Sequence, residues 1–184
     1  GEILKHALIT DRRFFIFLNK KGNDILNLKS PSIEKAIYKS CFIKKKVVEV
    51  DEKEVGIRKI LNFGHTFAHA YEATLNYSQK LNHGEAVILG IKTATKFSFI
   101  NKILNFKDFK LIENHLKQLN LPRDLNKYFL KINLKQILSF MKKDKKNNTK
   151  KINLVLLKKV GSPIYKSQFN QNKIRLFLKK ELIK

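Results

Sequence analysis

Glu54-Val55-Gly56-Ile57-Arg58-Lys59-Ile60-Leu61-Asn62-Phe63-Gly64-His65-Thr66-Phe67-Ala68-His69-Ala70-Tyr71-Glu72 is the stretch on which the reading of the whole chain turns. Wound as one helix at about 100° per residue, it places Arg58, Asn62, His65 and His69 on a narrow arc of one face. The other sides carry Ile57, Ile60, Leu61, Phe63, Phe67, Ala68 and Ala70, an apolar girdle that puts such a helix deep in a core. A cation, an amide and two imidazoles facing one point inside a protein need something to bind. The spacing therefore predicts a central helix over residues 56–75 with a ligand on its polar side.

Working outward toward the N-terminus, residues 2–9 repeat apolar positions at helical intervals, with Glu2 and Lys5 neighbours on one face. Asp11 reads as the N-cap of a short helix through Leu18, which Gly22-Asn23 breaks. Ser30-Pro31-Ser32 opens a third helix from residue 33 to the mid-40s, with Lys44 near its end. Toward the C-terminus, a polar connection over 76–82 leads to an apolar helix over 83–103, which puts His83 at a helix N-terminus. A helix from residue 107 follows, then Leu121-Pro122 and two shorter helices over 124–129 and 134–141. Residues 142–151 form a charged loop, 152–157 a short buried strand, Gly161-Ser162-Pro163 a turn and 173–182 a last amphipathic helix. The fold class expected is mainly α and multi-helical, with a small β element near residues 152–158 and no repeat or linker that divides the chain.

A chain of 184 residues that is 43% hydrophobic can bury one sizeable core. Cys41 is the single cysteine, which excludes an internal disulfide and suits a reducing cytosol. No apolar run of about 18 residues and no leader-like start occur, so the expectation is a cytoplasmic protein with no membrane partner. The net charge of +24 would suit a nucleic-acid partner. Its lysines, however, are scattered over most segments, with few aromatics interleaved for base stacking. They also arrive with abundant Asn, Ile and Phe and scarce Gly and Pro, as A/T-rich codons produce. The expectation is no nucleic acid, and a positive potential suited to a small anionic substrate.

Glu2, His65 and His83 would come from three separate helices. Two imidazoles and one carboxylate with an open fourth position are the pattern of a catalytic rather than a structural zinc site. Spacing alone does not establish the site, since a histidine on a helix is more often a satisfied core or surface residue than a ligand. His65 and His69, four apart, also read as an HxxxH pair, without the glutamate that the zincin motif places after its first histidine.

Cys41-x-x-Lys44-x-x-Val47-Val48-x-x-Asp51-Glu52-x-Glu54-x-Gly56-x-Arg58-x-x-Leu61-Asn62-x-Gly64-His65-Thr66-x-x-His69-Ala70-x-Glu72, followed by His83-Gly84-Glu85-Ala86-Val87-x-x-Gly90, resembles the C-terminal domain of the 3-dehydroquinate synthase family. Glu2-Ile3-Leu4-Lys5 resembles the element that opens that domain. Met141-Lys142-x-Asp144-Lys145-Lys146 with Ile152-x-Leu154-Val155-Leu156 resembles its closing loop and strand. Two departures are visible: Ala68 stands where the family usually has glycine, and the link between His69 and His83 is slightly long.

The resemblance implies a dehydroquinate-synthase-like fold and an enzyme of the shikimate pathway. It would convert the sugar-acid phosphate 3-deoxy-D-arabino-heptulosonate 7-phosphate to 3-dehydroquinate and phosphate with NAD and a divalent metal, Zn2+ or Co2+. It implies Glu2, His65 and His83 as metal ligands, with Lys5, Lys44, Arg58, Asn62, His69 and Lys145 or Lys146 around the substrate. Glu54 and Glu72 read either as carboxylates that orient these groups or as ordinary helix salt bridges. The family's N-terminal NAD-binding domain has no counterpart here, since no Gly-rich nucleotide fingerprint occurs. The chain is thus expected to be the metal and substrate half, without turnover alone, its partners that NAD-binding domain and a second copy in a homodimer. Two readings stay open beside it. One is another sugar-phosphate cyclase or a metal-dependent polyol dehydrogenase sharing this domain; the other is a non-catalytic basic RNA-binding module.

Overall fold

The structure, a computed structural model, describes residues 1–143 and 151–182. Helix α1 (Glu2–Thr10) buries Leu4, Ala7, Leu8 and Ile9 and is followed directly by α2 (Arg12–Leu26). The junction is Asp11, whose carboxylate accepts the Phe14 N–H at 3.0 Å and caps α2. Such a cap stabilises a helix by about 1 kcal/mol. Helix α2 does not stop at Leu18 or at Gly22 but runs through the glycine. A Cβ at Gly22 would sit 2.5 Å from Leu119 Cδ1, so this glycine makes room for a neighbour instead of ending the helix. Helix α3 (Ser32–Val50) is likewise longer than expected and reaches Asp51.

The central helix is the main correction. Residues 56–75 are not one helix: a 3₁₀ helix spans Ile57–Asn62, the chain turns at Phe63 and Gly64, and α4 covers His65–Thr74. Two local causes are visible. The Asp51 carboxylate accepts the backbone N–H groups of Val55, Gly56 and Arg58 at 3.0, 2.8 and 2.9 Å, which ties the approach into a turn. Gly64 then adopts φ +80°, a left-handed conformation that cannot continue a right-handed helix and that glycine takes without steric cost. The apolar girdle accordingly surrounds α4, where Phe67, Ala68 and Ala70 are buried, while Ile57 on the 3₁₀ segment is exposed.

Helix α5 (His83–Ile100) runs through the core, with Val87, Leu89, Ile91 and Phe97 fully buried. It packs directly on α4 because both contribute a glycine at the crossing. A Cβ on Gly90 would come within 2.2 Å of the Gly64 carbonyl oxygen. Helix α6 (Phe106–Gln118) begins at an Asn105 cap. The short helix expected over 124–129 is only a 3₁₀ turn at Leu125–Lys127, and a second such turn at Lys131–Asn133 leads into α7 (Leu134–Lys143). Strands β1 (Lys151–Lys159) and β2 (Ser162–Asn170) form an antiparallel hairpin with Ile152 opposite Phe169 and Leu156 opposite Ile164. The second strand was not expected from sequence. Helix α8 (Gln171–Glu181) closes the described chain, Phe177 meeting Phe97 at 5.1 Å between ring centroids. The architecture is mainly α with one small sheet. Among the described residues no helix is long and apolar enough to cross a membrane.

Candidate active site

Five elements bring their polar residues to one pocket of ≈ 420 Å³, lined by Glu2, Lys5 and His6 from α1, Lys44 from α3, Arg58 and Asn62 from the 3₁₀ segment, His65 and His69 from α4, and His83 from the start of α5. Lys5 and His6 share the Glu2 face of α1 by the three- and four-residue spacing of a helix. The kink at Gly64 sends His65 and His69 along a new axis, so they meet Arg58 and Asn62 across a bend rather than along one face.

One candidate donor atom from each of Glu2, His65 and His83 lies within 4.8 Å of the other two. His65 Nε2 is 3.2 Å from Glu2 Oε1, and that carboxylate oxygen is buried without a hydrogen-bond partner. Ligand bonds of about 2.0–2.1 Å in a tetrahedral site separate neighbouring donors by about 3.3 Å. The Glu2–His65 pair already has that spacing. An orphaned carboxylate oxygen facing two imidazoles fits a divalent cation. The other ring nitrogens have partners of the kind that orient metal-ligating histidines. His83 Nδ1 donates to Glu72 Oε1 at 2.9 Å, and His65 Nδ1 approaches the Phe63 carbonyl at 3.3 Å. Glu72 itself is buried. The histidine rings pack edge to face, with centroids 5.3 Å apart for His65–His69 and 6.0 Å for His65–His83.

The electrostatics keep Glu2 ready as an anion. Burial pushes its carboxyl up, but the His65 imidazole and the Lys5 ammonium, 2.7 Å away, outweigh burial and hold it well below the usual carboxylate range. Burial also lowers the Lys5 ammonium, with Glu2 opposing that shift. Arg58 is half-buried at the pocket rim, and its guanidinium donates to the Glu52 carbonyl. Asn62 donates to Glu54 Oε1 at 2.5 Å, which aims the amide across the pocket mouth.

A second cavity of ≈ 550 Å³ adjoins the first, sharing Glu54, Asn62, His65 and His69 and continuing to Asn153, Tyr165 and Gln168 on the hairpin. Those hairpin residues were not foreseen, because β2 was not. His6 was not singled out either, although its four-residue offset from Glu2 could have found it. Of the sequence-derived candidates, Glu2, Lys5, Lys44, Arg58, Asn62, His65, His69 and His83 are brought together. Lys145 and Lys146 lie outside the described residues.

Residues 1–147 match the family described as 3-dehydroquinate synthase C-terminal. The chain is 71% identical over 184 residues to the 3-dehydroquinate synthase of Pelagibacter ubique strain HTCC1062, covering all of this chain and 50% of that protein. It is 38% identical over 179 residues to the 3-dehydroquinate synthase of Coxiella burnetii strain Dugway 5J108-111, covering 97% of this chain and 49% of the other. The chain thus spans about half the length of the curated relatives it matches. Two solved structures share the fold. A 2-epi-5-epi-valiolone synthase from Streptomyces hygroscopicus subsp. jinggangensis 5008, with NAD+ and Zn2+ bound, superposes with a TM-score of 0.81 at 18% identity over 98% of this chain and 49% of its own. A 2-deoxy-scyllo-inosose synthase complexed with carbaglucose-6-phosphate, NAD+ and Co2+ gives 0.74 at 22% identity over 97% of this chain and 50% of its own.

Proposed function

The chain belongs to the 3-dehydroquinate synthase family, and from that membership we propose that it is the metal- and substrate-binding half of an enzyme converting 3-deoxy-D-arabino-heptulosonate 7-phosphate to 3-dehydroquinate and phosphate. The observation that carries the reading is the convergence of Glu2, His65 and His83 within 4.8 Å beside the cations Lys5, Lys44 and Arg58 in one pocket. A Zn2+ or Co2+ ion held by the three ligands would supply Lewis acidity toward a substrate hydroxyl, and NAD held by the other half of the protein would take up and return a hydride.

The chain's own residues do the rest. Arg58 at the rim can clasp a carboxylate with two parallel hydrogen bonds. Lys5, Lys44, Asn62 and His69 offer donors to the substrate's phosphate and hydroxyls, and His69 is placed to move a proton. Lys145 and Lys146 belong to the same proposal through the family pattern. The partners that follow are the NAD-binding half and a second copy of the chain, in the cytoplasm.

Phosphate release by the full-length protein tests this. NAD-dependent release from this heptulosonate phosphate, lost in His65→Ala, is the expected result. Release only from a different sugar phosphate would overturn the substrate and keep the class; release that persists in His65→Ala would overturn the metal role.

A further inference from the structure

His6 belongs to none of the roles above, yet it is one of the most constrained side chains in the pocket. It is 3% exposed. Its Nδ1 lies 2.7 Å from Ser40 Oγ, and Ser40 on α3 is itself buried. Its Nε2 is buried with no hydrogen-bond partner, and Glu2 Oε2 lies 3.8 Å away. A buried, unpaired ring nitrogen costs about 1–3 kcal/mol, so an arrangement in which it finds a partner is favoured.

The tautomer follows from the two neighbours. A lone pair on Nε2 would point at the Glu2 carboxylate and be repelled, whereas an N–H there is attracted. With the proton on Nε2, Nδ1 is an acceptor and receives the Ser40 hydroxyl proton. The chain of donors therefore runs from Ser40 Oγ–H to His6 Nδ1, and from His6 Nε2–H toward Glu2 Oε2. Lys5 reaches the same Oε2 at 2.7 Å, while Oε1 faces His65. The two oxygens of Glu2 thus face different ways, one toward the metal-ligand donors and the other toward the protein.

We infer that His6, held by Ser40, is a positioning residue for Glu2: its Nε2–H takes up Oε2 when Oε1 engages the metal, fixing the rotation of the carboxylate. The inference rests on the metal reading of Glu2, His65 and His83. The Glu2 side chain on α1 is 41% exposed, and its carboxylate can rotate about the flexible bonds that carry it. A helix-borne imidazole one turn further on, clamped from α3, removes that freedom. Partners of this kind around a ligand are typically worth about 10–100-fold in metal affinity.

Co2+ titration of the full-length protein, read by its ligand-field absorption and by competition with a chromophoric chelator, tests the inference. The parent should bind one equivalent, and His6→Phe about 10-fold or more weakly with a shifted band. His6→Gln, which keeps an N–H donor, should recover part of both. Ser40→Ala, which leaves the ring in place but unclamped, should give a smaller loss in the same direction. Adding His6→Phe to Glu2→Gln should cost nothing further, because the group it positions has lost its charge. Parental affinity and an unshifted band in His6→Phe, with an unchanged thermal midpoint, would overturn the role of His6. A parent that binds no Co2+, or binds it unchanged in His65→Ala, would overturn the metal reading instead.

Discussion

Gly90→Ala tests whether the distance between α4 and α5 sets the site. His65 opens α4 and His83 opens α5, and the two helices touch through Gly64 and Gly90. A methyl carbon on Gly90 would lie 2.2 Å from Gly64 O and 3.0 Å from Ala68 N, both backbone atoms that no rotamer change can move. Restoring ordinary contact requires the helices to part by about 1 Å, and overpacking of this size costs roughly 1–3 kcal/mol. Part of that cost falls on the site, since separating the helix starts separates the two imidazoles. The expected outcome is a thermal midpoint lower by several degrees, at roughly 2–4 °C per kcal/mol. Zn2+ affinity in the full-length protein should fall about 10-fold or more. Scanning calorimetry and chelator competition read the two effects. A Gly90→Ala protein with parental midpoint and parental Zn2+ affinity would refute the idea that close helix approach builds the site.

Three further outcomes follow from other contacts. Glu72→Gln keeps the shape but removes the charge that holds His83 Nδ1 at 2.9 Å, so Zn2+ affinity should drop about 10–100-fold; equal affinity in a chelator competition would contradict it. Arg58→Lys loses the planar fork, and kcat/KM of the full-length protein should fall about 10-fold or more through KM; a fall confined to kcat would argue against carboxylate binding. His115 donates from Nδ1 to Asn19 Oδ1 at 3.0 Å and is buried, which pushes its pKa down to about 4. Its folded value lies below the unfolded one near 6.5, so the unfolded chain binds the extra proton first. Stability should therefore be full above about pH 6.5 and fall by up to about 3 kcal/mol as pH drops toward 4. Urea midpoints measured across that range should slope less in His115→Gln, and an identical slope would contradict the assignment.

The helices were legible where apolar spacing and caps agreed. Asp11 marks the junction of α1 and α2, and the run behind His83 marks α5, because both signals are local. Gly22 misled because its job is tertiary: it accommodates Leu119, a residue on a distant part of the chain that no local pattern connects to it. The break at Gly64 was hidden for a related reason. Helical arithmetic over residues 56–75 gave a plausible polar face, and only the Asp51 turn and the left-handed Gly64 redirect the chain. Strand β2 carries half-exposed residues and a proline at its second position, so it has neither a buried run nor a clean alternation. The site residues came from the family pattern more than from geometry. Periodicity placed Arg58, Asn62, His65 and His69 together for the wrong structural reason, and ligand chemistry suggested Glu2 and His83 beside His65 without spacing to support it until the resemblance was drawn. Glu72 was readable in the sequence as a carboxylate that could orient its neighbours, but its contact with His83 and the place of His6 beside Glu2 emerge only once α1, α3, α4 and α5 are packed.

Zinc titration of the full-length protein beside its His65→Ala variant tests the central claim most directly. One equivalent bound tightly by the parent and lost in the variant is the result predicted from Glu2, His65 and His83 standing within 4.8 Å of one another. No tight equivalent in the parent, or an equal one in His65→Ala, would contradict it.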